Sequence, residues 1–161
     1  MSGLRAETLL ELARASGATV TTAESCTGGM VAAAITDVAG SSEIFERGFV
    51  TYSNAAKTDL LGVSPVTLEA HGAVSEEVTR EMAVGALQAA HATVAVSISG
   101  IAGPGGSEFK PEGRVCFGLA TRDSVQTKTV EFGAIGRAEV RAAARDEALD
   151  LLVSALRDRQ V

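Results

Sequence analysis

Apolar residues recur at helical spacing from Ala6 to Ser16, with Leu9, Leu10, Leu12 and Ala13 marking a core face and Gly17 a stop. Thr19 to Ala23 then alternates and is β-branched, the pattern of a half-buried strand. A turn over Glu24 to Thr27 leads through Gly28 and Gly29 into a second helix over Met30 to Val38, with Thr27 as its expected N-cap. Ser41 to Glu46 reads as a short helical turn and Arg47 to Tyr52 as a second strand, with Phe49, Val50 and Tyr52 suited to a sheet. Ser53 is placed to cap a helix running to Leu61, which Gly62 ends, and Pro65 to His71 is a short helix closed by Gly72.

Ser75 caps a long amphipathic helix, with Glu76 and Glu77 in its first turn and a buried stripe of Val78, Met82, Ala86 and Ala89. Thr93 to Ser99 is an apolar β-branched run, as in a strand buried on both faces. Gly100 to Gly113 is the longest expected loop. Arg114 to Thr121 and Thr127 to Phe132 read as antiparallel neighbours joined by a turn at Arg122 to Val125, and Arg137 to Arg157 as a final helix. No linker or repeat divides this order. It predicts an α/β fold, a single-domain three-layer α/β/α sandwich with a mixed sheet, over residues 1–161.

Composition narrows the function. Five Phe, one Tyr and no Trp leave no aromatic platform for bases, and a core of small side chains implies helices packed closely on the sheet. A net charge of −6 argues against a basic groove for nucleic acid, although a small local anion site remains compatible with it. Cys26 and Cys116 stand far apart, and with His71 and His91 the only histidines, neither a zinc site nor a disulfide framework is expected. Both cysteines are expected to be reduced, buried thiols, and Cys26, next to Ser25, is a competing nucleophile. Apolar runs are too short to span a bilayer, and residues 1–16 carry Glu7, Glu11 and Arg14, unlike a signal peptide. The expectation is a cytoplasmic protein without membrane or nucleic-acid partner.

Three loops follow strands: Glu24 to Gly29, Tyr52 to Lys57 and Ser99 to Gly106. In open α/β sheets such loops gather at the carboxyl ends of strands, so they are expected to share one crevice. The Ser25 hydroxyl stands at a strand-to-helix turn, facing the positive end of a helix. Two readings stand there: Ser25 and Thr27 cap the helix, or the turn holds an anion or developing oxyanion. It is not the G-x-S-x-G elbow, because Ala23 stands where the first glycine belongs.

Lys57 falls near the start of the Ser53-capped helix, where the dipole disfavours positive charge and burial would lower its pKa further. A neutral lysine can act as general base to a serine, with Tyr52 and Ser53 near enough to relay the proton; the plainer reading is a solvated surface lysine. The glycine-rich loop lacks a P-loop ending and serves turning or phosphate binding. Arg137 and Arg141 either meet an anion or form a solvated helix face. His71 and His91 suggest no Ser-His-Asp set, which leaves Lys57 as the best base.

Ala23-Glu-Ser-Cys-Thr-Gly-Gly29, Phe49-Val-Thr-Tyr-Ser-Asn54 with Lys57, Gly72-Ala-Val-Ser75 and Ser97-Ile-Ser-Gly-Ile-Ala-Gly-Pro104 occur in order along the chain. Together they resemble the C-terminal domain of the CinA (competence/damage-inducible) family, over nearly the whole chain, in its stand-alone amidase form. The resemblance implies hydrolysis of the carboxamide of nicotinamide mononucleotide (NMN) to nicotinate mononucleotide and ammonia, in pyridine-nucleotide recycling. It implies Ser25 as nucleophile, Lys57 as base and Tyr52 as assistant, with N–H groups around Thr27, Gly28 and Gly29 facing the oxyanion. Asn54, Ser99, Gly100 and Gly103 would hold the nucleotide. Arg137 would meet its phosphate, in the same subunit or across an interface, since family members tend to form homo-oligomers. No cofactor and no metal are implied. The alternatives are a non-enzymatic nucleotide- or partner-binding module in the same crevice, and an amidase for another carboxamide.

Overall fold

The computed structural model describes residues 2–107 and 109–159. The first helix, α1 (Ser2–Ser16), starts four residues earlier than the apolar pattern suggests and buries Ala6, Leu9, Leu10 and Ala13, while Leu12 is only half-buried. Strand β1 (Val20–Glu24) follows and is buried at all five positions. The half-buried strand expected there is thus corrected: β1 lies inside the sheet with helices on both faces, so its threonines are as buried as its Val20.

Helix α2 (Met30–Thr36) ends two residues before Val38, and its N-cap is Gly29, in a left-handed conformation and without a side-chain cap. The expectation of Thr27 as the cap is therefore overturned. The physical reason is Glu24, whose fully buried carboxylate reaches from the end of β1 to accept from the N–H groups of Val31 (3.0 Å) and Ala32 (3.1 Å). It satisfies the free donors that a cap would take.

A single 3₁₀ turn, Ser41–Glu43, leads to β2 (Phe49–Val50), a two-residue edge strand where the sequence suggests six. Helix α3 (Asn54–Leu61) is bounded as the sequence indicates: the Ser53 Oγ accepts from the Ala56 N–H and Gly62 closes the helix in a left-handed conformation. Helices α4 (Pro65–His71) and α5 (Glu76–Ala90) likewise begin at their Ser64 and Ser75 caps. Val78, Met82 and Ala86 are buried on α5 as expected, and Ala89 is half-buried. Strands β3 (Val94–Gly100), β4 (Arg114–Thr121) and β5 (Val125–Glu131) and the long helix α6 (Arg137–Arg159) complete the chain. β5 starts two residues early, so the turn after Thr121 is shorter than expected.

The sheet order is β2-β1-β3-β4-β5, with β2, β1 and β3 parallel and β4 and β5 antiparallel. Side chains alternate across it. Val20, Val94, Val96, Ile98, Val115, Phe117 and Leu119 face one core with α1, α2 and α6. Ala23, Ala95 and Ala120 face a second core with α3, α4 and α5. The three-layer α/β/α sandwich is therefore present. Small residues bring α5 close to the sheet: a methyl on Gly118 would meet the Thr79 carbonyl at 2.3 Å, and the Ser97 hydroxyl donates to that same carbonyl. Because β1, β2 and β3 run parallel, their three following loops emerge at one sheet edge.

Candidate active site

Ser25 is the first residue beyond β1. Its N–H donates to the Ile98 carbonyl (2.9 Å), extending the β1–β3 ladder by one bond, and its carbonyl accepts from the Gly28 N–H (3.0 Å). The chain thus folds back within four residues, with Gly28 and Gly29 at φ +57° and +107°. These are angles that glycine adopts without strain. Arg141 on α6 fastens the turn from outside, donating to the carbonyls of Cys26 (3.0 Å) and Thr27 (3.4 Å). Half-buried, it directs its guanidinium at these two carbonyls rather than at open solvent.

Lys57 lies one turn into α3 and is 1 % exposed, so the solvated-surface reading falls. Its Nζ lies 3.1 Å from the Ser25 Oγ and donates to the Thr51 carbonyl at 2.8 Å. Among the described residues it forms no ion pair, so no carboxylate offsets the loss of water around its charge. Burial accordingly lowers its pKa, against a smaller opposing pull from Cys26. A neutral amine offers two N–H groups and one lone pair. Thr51 accepts from one N–H, and the Ser25 hydroxyl can donate to the lone pair.

Cys26 is the adjacent competitor, and its chemistry is turned off. Desolvation, aided by the charge of Glu24, pushes its thiol up to about 11, although its own N–H and that of Gly100 are directed at the sulfur. At neutral pH it is a thiol, and the thiolate is the reactive form. Ser25, by contrast, is 8 % exposed and has its hydroxyl joined to the Lys57 amine.

A cavity of about 340 Å³ opens over this turn, lined by Cys26, Tyr52, Asn54, Gly100, Gly103 and Arg137 among others. A groove of about 900 Å³ adjoins it, sharing Asn54 and Lys110, and carries none of Ser25, Cys26 or Lys57; the smaller cavity has Cys26 in its wall but neither the buried Ser25 nor Lys57. Arg137, the first residue of α6, donates to the Gly103 carbonyl (2.7 Å) and to the Tyr52 hydroxyl (3.0 Å). Tyr52 is 60 % exposed at the mouth, and among the described residues no hydrogen bond joins its hydroxyl to Ser25 or Lys57. Lys57 meets Ser25 directly, with no relay through Tyr52, and Ser53 is occupied as the α3 cap. Lys110, on the wall shared by cavity and groove, donates to the carbonyls of His71 and Val74 at 2.6 Å each.

The remaining candidates divide. Asn54, Gly100 and Gly103 reach the cavity wall; Thr27 and Ser99 are buried and do not. Among the described residues the Thr27 hydroxyl has no partner. The Gly28 N–H is committed to Ser25, so it is not free for an oxyanion. Two contributors went unmarked by the sequence reading, Glu24 as a cap from behind and the Thr51 carbonyl, and Arg141 was marked for other roles than fastening the turn. Only Glu24 left a signal, as a charged residue at the end of an apolar strand that the helix after it would have to accommodate.

A sequence profile of the CinA C-terminal domain matches residues 4–156. The nicotinamide-nucleotide amidohydrolase PncC of Escherichia coli (strain K12) is 70% identical over 109 residues, 67% of this chain and 66% of that protein. The protein of the same name from Enterobacter agglomerans is 68% identical over 111 residues, 68% of each. The aligned stretch thus spans about two thirds of these relatives. The crystal structure of the competence/damage inducible protein CihA from Agrobacterium tumefaciens superposes with a TM-score of 0.93 at 45% identity, covering 97% of this chain and 95% of that one. By sequence along most of its length and by fold throughout, this chain belongs to the CinA C-terminal domain family.

Proposed function

We propose that this chain is a nicotinamide-nucleotide amidohydrolase, one domain that converts NMN and water to nicotinate mononucleotide and ammonia. The observation that carries the chemistry is the 3.1 Å approach of the buried Lys57 Nζ to the Ser25 Oγ. The names of relatives at 68–70% identity carry the substrate. Neutral Lys57 takes the Ser25 proton as the Oγ attacks the carboxamide carbon. The oxyanion forms toward backbone N–H groups of the turn that follows Ser25. The resulting Lys57 ammonium gives its proton to the amide nitrogen, and ammonia leaves. A water, deprotonated by the again neutral Lys57, then splits the acyl-serine and restores both groups.

The pyridine nucleotide lies in the cavity between Asn54 and the loop that includes Gly100 and Gly103, with the phosphate toward Arg137. The Tyr52 hydroxyl, hydrogen-bonded to Arg137, holds that guanidinium in place and assists substrate binding more than proton transfer. Thr27, Gly28 and Gly29 shape the turn, and Ser99 sets the end of β3 behind it. The substrate is a small molecule and nucleic acid is no partner. The working form is a cytoplasmic homo-oligomer. No helix among the described residues is long and apolar enough to cross a membrane.

The test is ammonia release from NMN by the purified protein beside Ser25→Ala and Lys57→Ala. Both variants should lose at least about a thousandfold in kcat while keeping the wild-type circular dichroism. A folded wild type that binds NMN and releases no ammonia would sink the reading and leave a nucleotide-binding module.

A further inference from the structure

The loop beyond β3 is held by two opposite charges, only one of which the proposed reaction uses. On one side Arg137 donates to the Gly103 carbonyl (2.7 Å). On the other, Glu112 accepts from the Gly105 N–H at 2.5 Å. The same carboxylate lies so close to Gly103 that a methyl there would meet its carbon at 2.7 Å and an oxygen at 2.9 Å. Gly103 and Gly105 both hold left-handed backbones, at φ +93° and +79°, and both line the cavity; Glu112 does not. The carboxylate therefore stands behind the loop, gripping it at one residue and abutting it at another. The grip is reinforced where the chain returns: Ser107 and Lys110 exchange backbone hydrogen bonds (3.0 and 2.8 Å), and a methyl on Gly106 would collide with the Lys110 carbonyl.

We infer that Glu112 is a positioning residue for the phosphate-bearing end of the substrate. It sets the Gly103–Gly105 backbone, whose Gly103 carbonyl in turn orients the Arg137 guanidinium toward the cavity. A charge-assisted hydrogen bond to a loop N–H is among the stronger fixings available to a glycine-rich segment. Without it, Gly103 and Gly105 regain the wide backbone freedom of glycine and Arg137 loses a fixed acceptor. Glu112 reaches no reacting atom, so the chemical step is left intact. The effect falls on ground-state binding of the anionic end.

This inference rests on the nicotinamide-nucleotide reading, so the experiment keeps the two apart. Wild type, Glu112→Ala and Glu112→Gln are compared on NMN and on nicotinamide riboside, which lacks the phosphate. Glu112→Ala should raise KM for NMN about tenfold, with kcat within about twofold. Glu112→Gln, which keeps an acceptor oxygen, should recover most of that loss, and neither variant should change KM for the riboside by more than about twofold. Equal effects on both substrates, a fall in kcat at constant KM, or no effect of Glu112→Ala would overturn the role. Should the wild type release no ammonia at all, the reaction assignment fails on its own account. Calorimetric binding of NMN then decides about Glu112: a weakened Kd in Glu112→Ala retained by Glu112→Gln supports it, and unchanged or absent binding ends it.

Discussion

A lysine amine kept from water without a carboxylate is a destabilising feature, and in this chain it is also the proposed base. The unfolded chain protonates Lys57 near its ordinary value of 10.5, whereas burial lowers that value in the folded state. Between the two pKa values the unfolded state binds more protons, so the contribution of Lys57 to stability rises with pH through that window and is least favourable below it. Replacement by an uncharged side chain of similar length should therefore stabilise the protein while removing the base. Lys57→Met is expected to gain about 1 kcal/mol at neutral pH, a rise of about 2–4 °C in Tm by calorimetry, with no remaining amidase activity. The same titration governs rate. The free amine is the reactive form, so kcat/KM for NMN should climb with pH through the lowered Lys57 pKa and level off above it. A profile flat from acid to alkaline pH would remove Lys57 from the role of base. Lys57 was legible as a candidate because Ser53 and the following residues mark a helix start; its burial was not, since that depends on the Ser25 turn and the Thr51 carbonyl arriving from elsewhere in the chain.

Elements bounded by local chemistry were readable, and elements bounded by distant partners were not. Helices α3, α4 and α5 start at Ser53, Ser64 and Ser75, each hydroxyl accepting from a backbone N–H of its own first turn. Helix α2 has no such residue, because its cap is the carboxylate of Glu24, seven and eight residues before the N–H groups it accepts from. Its one trace in the sequence is a charge at the end of β1, which names no cap. Glu24→Ala would leave two donors buried beside an emptied space, at a cost of about 2–4 kcal/mol. Urea unfolding should show a lower midpoint at an unchanged m-value, and a midpoint within error of wild type would show that α2 is capped by other means. Strand β2 shrank for a related reason: it pairs only with β1, and the chain leaves the sheet at Thr51, whose carbonyl turns to Lys57.

Across the whole molecule, the α/β/α layering and the convergence of three loops were within reach of the sequence, because apolar β-branched runs alternating with helices imply a largely parallel sheet. Strand order was not, and it decides what sits where: β3 lies beside β1, which joins Ser25 to Ile98, 73 positions further along the chain, and Lys57 arrives from the β2 side. Which loop residues face the cavity also escaped the sequence, because it depends on whether each side chain lies over the crevice or beneath it. That is why Gly103 and Asn54 reach the cavity and Thr27 does not.

The mixed sheet carries a consequence in time. Its antiparallel half, β3-β4-β5, closes over short stretches of chain, whereas pairing β1 with β3 must bring together residues 74 apart, such as Val20 and Val94. Contacts between distant residues carry the larger loop-closure entropy and tend to form late. The hairpin of β4 and β5 with α5 against it is the expected nucleus, and β1 and β2 dock afterwards. Pulse-labelling hydrogen exchange during refolding should protect the amides of Val115 to Ala120 before those of Thr21 to Glu24; the reverse order would refute it. Ser25 and Lys57 both belong to the late-docking β1–β2 segment, so a partly folded chain has neither in place beside the loop that follows β3. Recovery of ammonia release during refolding should then trail recovery of secondary structure.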